Sequence, residues 1–237
     1  MNDSHEFSGF PREGVKFLLD LKQNNDRDWF AENKHRYEQF LLAPARQFVG
    51  TMGERLKKIA PEVQAIPQID RSIFRIYRDI RFSKDKSPYK THQGIWMWEG
   101  PGKKLDNSGF YFHVDPPEIM IAAGIYTFHG HILKAYRDAV VDPQWGKDLR
   151  SAVEEIRKYP DLGLGGEQYK RVPRGYDPEH PNSDLLLYKG LTVGIRESIP
   201  EIFYQSEIID YCYTWYKRML PVHQWLLNLT KVDTGGL

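Results

Sequence analysis

Residues 93–126 read QGIWMWEGPGKKLDNSGFYFHVDPPEIMIAAGIY. Three runs rich in aromatic and β-branched residues, GIWMWE, GFYFHV and EIMIAAGIY, are separated by glycine, proline and lysine, the pattern of strands punctuated by turns. In the first run Trp96 and Trp98 stand two apart and share a face, and the turn-like stretch 100–109 connects it to the second run as a hairpin. The stretch predicts antiparallel strands. It decides the fold because the long segments on either side read mainly as helix.

Upstream, apolar residues recur at helical spacing: Val15, Leu18 and Leu21; then Phe30, Tyr37, Phe40 and Leu41; then Phe48, Met52, Leu56 and Ile59. Three helices are expected, with Asn24 and Asn25 ending the first, Asp26 or Asp28 capping the second and Pro44 in the first turn of the third. Downstream, one helix carries Ile132, Leu133, Tyr136 and Val140, and the next starts at Asp142-Pro143 and buries Trp145, Leu149, Val153 and Ile156. Residues 159–189 are rich in glycine and proline and read as a long loop, with a short strand over 168–172 and a helical turn over 183–188. After a strand over 191–195, the stripe Ile208, Cys212, Trp215, Met219, Val222, Leu226 and Leu229 predicts a long final helix that Pro221 kinks or divides. The expected fold is α+β, a single domain over 1–237: N-terminal helices, a central antiparallel sheet, further helices and a long C-terminal helix.

With 237 residues the chain can bury a large core. Its 33 basic and 32 acidic side chains nearly cancel, which argues against a global attraction to nucleic acid or to an anionic membrane. Cys212 is the only cysteine, so neither an internal disulfide nor a cysteine-based zinc cluster can form, in keeping with a reducing compartment. The start, MNDSHEFSGF, lacks the basic and apolar regions of a leader, and no apolar run has the length of a membrane span, so the cytoplasm is the expected location.

Charge is concentrated in one place. Residues 70–92, DRSIFRIYRDIRFSKDKSPYKTH, hold Arg71, Arg75, Arg78, Arg81, Lys84, Lys86 and Lys90 against Asp70, Asp79 and Asp85, an excess of four in a chain whose total is +1. As a strand the segment would place Arg75, Tyr77, Asp79 and Arg81 on one face and leave Arg78 on the apolar one; as a helix Ile73, Ile76, Tyr77 and Ile80 would form the stripe. Periodicity does not choose between them. In either geometry several guanidinium groups come together, and their planar donor forks match carboxylate or phosphate oxygens. Asp79 would orient one of them or act as a base. The competing reading is a set of solvated ion pairs around a structural turn.

Together with NNDRDWF at 24–30 and PRGYDPEHP at 173–181, this segment resembles a family of bacterial and fungal proteins marked by an RxxRDxRFSxDKxPYK signature and known as a domain of unknown function. The resemblance implies an α+β fold and membership, without a mechanism.

The loop containing PRGYDPEHP adds Lys170, Arg171, Arg174, Tyr176, Asp177, His180 and Lys189, either a proline-braced surface loop or part of a site. In NNDRDWF, capping and turn formation account well for the asparagines and aspartates. His113 and Asp115, with His129 or His131, have the residue types of a facial metal triad, but the spacing is weak and no metal is assigned. Cys212 lies on an apolar stripe and reads as core. No phosphate loop, GxSxG elbow or HExxH motif is present.

The candidate site therefore comprises Asp79 and His180 as catalytic groups, with Arg75, Arg78, Arg81, Lys86, Lys90, Arg171 and Arg174 binding an anion. Three functions compete: an enzyme acting on a small phosphorylated or carboxylated substrate, a non-catalytic module binding such a ligand, and, less favoured, nucleic-acid processing. The cofactor is left open. The two charged segments are expected to share one cleft.

Overall fold

A computed structural model describes residues 7–101 and 103–234; the first six residues, where no leader-like run was found, lie outside them. The elements are α1 (Arg12–Gln23), α2 (Arg27–Tyr37), α3 (Ala43–Leu56), β1 (Gln93–Trp98), β2 (Gly109–Asp115), β3 (Glu118–Ile125), α4 (Gly130–Val141), α5 (Trp145–Arg157), β4 (Gly163–Glu167), β5 (Tyr188–Ser198) and α6 (Ile208–Thr234). The fold is α+β, with a five-stranded antiparallel sheet in the order β1-β2-β3-β5-β4. Among the described residues no helix is long and apolar enough to cross a membrane.

The chain forms two compact units. One holds the chain up to Met97 with Tyr111–Ile121 and Arg196–Thr214; the other holds Trp98–Phe110, Ala122–Ile195 and the chain from Trp215 on. β1, β2, β3, β5 and α6 each contribute residues to both.

In the first unit α2 opens on Asp26, whose Oδ1 accepts the Trp29 N–H at 2.9 Å and satisfies one of the helix's unpaired donors. α2 continues into α3 through a single π turn, Glu38–Leu42. Pro44 follows it, and its missing N–H removes a donor from the regular helical ladder at this place. α1 packs against this turn through Gly14, where a Cβ would lie 2.4 Å from the Phe40 carbonyl oxygen; a bare backbone is required. The core of the unit is aromatic: Phe10 stacks on Phe203 at 4.7 Å and Phe48 on Phe112 at 4.8 Å, with Phe112 projecting from the inner face of β2.

In the second unit Asp142 accepts the N–H groups of Gln144 and Trp145 and so starts α5. Phe128 stacks on Tyr136 at 4.4 Å, and Trp225 of α6 sets its ring edge-on to Trp145 and donates Nε1–H to the Trp145 carbonyl. The short strand lies at 163–167, paired with β5 from Gly163 opposite Gly194, and not at the expected 168–172. Glycine has no side chain to signal a strand; the pairing partner supplies it. The helical turn is present at Ser183–Leu187, and α6 runs on through Pro221 as one helix.

Candidate functional site

Residues 70–92 are neither the strand nor the helix that their periodicity allowed. Ser72–Phe74 run beside β1, with the Trp96 N–H on the Ser72 carbonyl at 2.7 Å and the Phe74 N–H on the Gly94 carbonyl at 3.0 Å. Farther on, the Lys90 N–H reaches the Ile76 carbonyl at 2.7 Å and the Arg78 N–H reaches the Pro88 carbonyl at 2.9 Å, so 76–78 pair with 88–90 and the residues between them form a projecting loop. The NNDRDWF segment holds this base from outside. Asn25 grips the Tyr89 backbone twice, donating Nδ2–H to its carbonyl and accepting its N–H, both at 3.0 Å, and Phe30 stacks on Tyr89 at 4.1 Å.

Inside the loop the charges divide into two groups. Arg78, three-quarters buried, donates to Asp85 Oδ2 and to the Ser87 carbonyl at 3.2 Å. Asp85 also accepts the Ser87 hydroxyl at 2.7 Å and its N–H at 2.9 Å, and these bonds with Arg78 hold its carboxyl well below the usual range. Arg81 grips Asp79 with Nε at 2.9 Å and Nη2 at 2.7 Å, and this fork, helped by the Arg81 N–H, holds the Asp79 carboxyl down to about 2. Arg78 is therefore a brace, and Asp79 an ionised partner of Arg81 at neutral pH. The side chains of Arg75 and Lys84 make no hydrogen bond or ion pair among the described residues, and the Lys86 ammonium donates to the Ile80 carbonyl at 3.0 Å. Lys90 donates Nζ–H to the Arg75 carbonyl at 3.0 Å and lies over the Phe74 ring. Phe82 is 94% exposed, forgoing the roughly 1.5–3 kcal/mol that burying such a side chain contributes.

The PRGYDPEHP loop lies in the second unit and is anchored to helices. Asn182 is buried, donates Nδ2–H to the Val140 carbonyl at 3.0 Å and accepts Arg150 Nε–H at 3.0 Å. Arg150 also grips both oxygens of Asp184 and reaches the Pro181 carbonyl. Tyr176 donates its hydroxyl to Asp138 of α4 at 2.8 Å. His180 accepts the Asn182 N–H on Nδ1 at 3.1 Å and so shapes the turn. Arg171 and Arg174 are exposed and unpaired among the described residues.

A further cluster lies on one sheet face of the first unit, beside the charged segment. Tyr111 and His113 alternate along β2 and are bonded to each other, hydroxyl to Nδ1, at 3.0 Å. The His92 ring, at the end of the charged segment, lies 5.5 Å from that of His113. Phe74 meets Tyr111 edge-on at 6.3 Å, and the face needs Gly94 bare, because a Cβ there would stand 2.9 Å from the Tyr111 hydroxyl. Arg196 of β5 pairs with Glu118 at 3.2 Å. Burial, with His92 and Arg196 nearby, lowers His113 to about 4, and burial lowers His92 as well. The HxD spacing marked His113 in the sequence; its meeting with His92 depends on how the segment returns to β1. Among the described residues no three metal-binding groups lie together, and His129 is engaged by Asp106.

The second unit encloses one more polar group. Ser108 Oγ and His223 Nδ1 lie 2.9 Å apart, and His223 Nε2 lies 3.0 Å from Glu99 Oε2. These are the residue types of a hydrolytic relay, but Ser108 and His223 are 0% exposed and Glu99 4%, so the trio ties α6 to the β1–β2 hairpin out of reach of solvent. Cys212 is fully buried as well, and burial raises its thiol pKa.

A family model described as "Conserved hypothetical protein (DUF2461)" matches residues 13–225, and the chain belongs to that family. No curated protein and no solved structure matches the chain.

Proposed function

We propose that this member of the family is a cytoplasmic protein that binds a small anionic ligand, carboxylate or phosphate, through the loop of residues 75–90, without turning it over there. The observation that carries the reading is the division of charge within the loop. Arg78 and Arg81 are matched by Asp85 and Asp79, whereas Arg75, Lys84 and Lys86 form no salt bridge among the described residues, Arg75 acting on Asp79 only at longer range, and Lys86 is fixed in place by a backbone carbonyl. A pinned ammonium whose charge is unmatched is complementary to an anion and gives up little freedom in binding one. Arg81, oriented by Asp79, adds a directed guanidinium, and the exposed Phe82 offers an apolar face next to it. The single cysteine is in keeping with that location.

The enzyme reading is weaker at this loop. A carboxyl held at about 2 is a poor proton acceptor at neutral pH, which counts against Asp79 as a general base. His180 already uses Nδ1 on its own turn, and Arg171 and Arg174 need no role in the reading.

Calorimetric titration with inorganic phosphate, succinate and phosphoenolpyruvate tests it. One of the three should saturate, and at about 100 times its Kd it should add roughly 2.7 kcal/mol of stability. Arg75→Ala combined with Lys86→Ala should lower that affinity about tenfold or more without moving the melting temperature of the free protein. A double variant that binds as tightly as the parent would sink the proposal.

A further inference from the structure

His113 is 8% exposed, and its Nε2 has no hydrogen-bond partner although the atom is buried. Buried polar atoms are paired in the great majority of cases, so an orphan of this kind marks a place where something is bound. The other nitrogen, Nδ1, faces the Tyr111 hydroxyl at 3.0 Å. The phenol is the better donor of the two, so Nδ1 is assigned as acceptor and the proton of the neutral ring as sitting on Nε2, where it awaits an oxygen. His92, the ring that neighbours it, is half-buried and makes no hydrogen bond among the described residues; it can turn aside without breaking one.

The surroundings define what fits. Phe74, Tyr111 and Trp96 supply flat apolar walls. Of the charges that act on the two imidazoles, Arg196 and Lys90 are offset by Asp115 and Glu118, and near-balanced surroundings of this kind disfavour a doubly charged phosphate more than a singly charged carboxylate. We propose that His113, His92 and Tyr111 form the floor of a site for a small carboxylate with a flat, unsaturated body, one of whose oxygens accepts the Nε2–H of His113. The site does not depend on the exposed cations of the loop, and Arg75 takes no part in it.

Imidazole nitrogen spectra of the full-length ¹⁵N-labelled chain test this, with benzoate, cyclohexanecarboxylate and Co²⁺ titrated separately. Benzoate should move the His113 Nε2 resonance saturably, and cyclohexanecarboxylate should bind more weakly, by roughly three- to tenfold, the size of an aromatic contact. His113→Phe replaces the orphaned ring by an apolar one of similar size and keeps the fold; benzoate affinity, read at His92, should fall about tenfold or more. Saturating inorganic phosphate should leave the benzoate shift at His113 Nε2 unchanged, which separates this site from the loop. The assignment is overturned by an unmoved His113 nitrogen, by a His113→Phe protein that binds benzoate as the parent does, or by a response to Co²⁺ in place of benzoate.

Discussion

The segment 70–92 and the loop 168–189 are both dense in charge, and they use that charge in different ways. In the first, arginines close on aspartates two and seven residues away, so the pairs shape the loop itself and leave other cations facing solvent. In the second, Asn182, Asp184 and Tyr176 reach side chains and a carbonyl of α4 and α5, so the charges fasten the loop to a scaffold. The sequence distance between a charge and its partner separates a loop shaped by its own pairs from a loop fastened to its scaffold.

Substitutions can break that contrast. Asn182→Ala should be the most damaging, because it leaves both the Arg150 Nε–H and the Val140 carbonyl without their partner; a loss of about 2–3 kcal/mol is expected in urea unfolding. A value near zero would mean that the second loop is not anchored as described. Arg78→Ala should cost roughly half as much, since solvent can replace some of its bonds, and should also weaken anion binding by loosening the loop. If affinity falls while stability holds, Arg78 is a ligand contact and not a brace.

A finer test concerns Asp79, whose carboxyl Arg81 depresses to about 2. The sign follows from linkage: the pair's contribution is complete above the ordinary carboxyl pKa of about 4 and is lost as pH falls through the depressed value. Arg81→Ala should return the Asp79 titration, followed by carboxyl NMR, toward the ordinary range. The smallest effect on stability belongs to Arg75→Ala, within about 0.5 kcal/mol, because that side chain makes no hydrogen bond or ion pair among the described residues. Its effect should appear in phosphate affinity alone.

Much of the architecture was legible from periodicity. α1 to α6 and the first three strands follow from apolar spacing, and Asp26 and Asp142 cap where the sequence placed helix starts. The failures share a cause. β4 is written GLGGE and carries no strand signal, while the strand expected at 168–172 does not form, because pairing depends on a partner that local sequence cannot reveal. Residues 70–92 satisfied two periods and adopted neither, since their backbone groups are taken up by isolated bridges. The cations of the candidate site could be read directly, but their division into matched and unmatched groups required coordinates. The His92, His113 and Tyr111 cluster comes from two separate stretches of chain, and only half of it left a mark in local spacing.

The enclosed Ser108, His223 and Glu99 trio constrains the alphabet at one position. A single flat ring at 223 must meet a hydroxyl on one edge and a carboxylate on the other, and an imidazole is the smallest side chain with nitrogen on both. Asparagine is too short to span that gap, and lysine has no acceptor for the hydroxyl proton. Histidine at 223 therefore serves both neighbours at once, and replacing any of the three leaves a buried polar group without its partner.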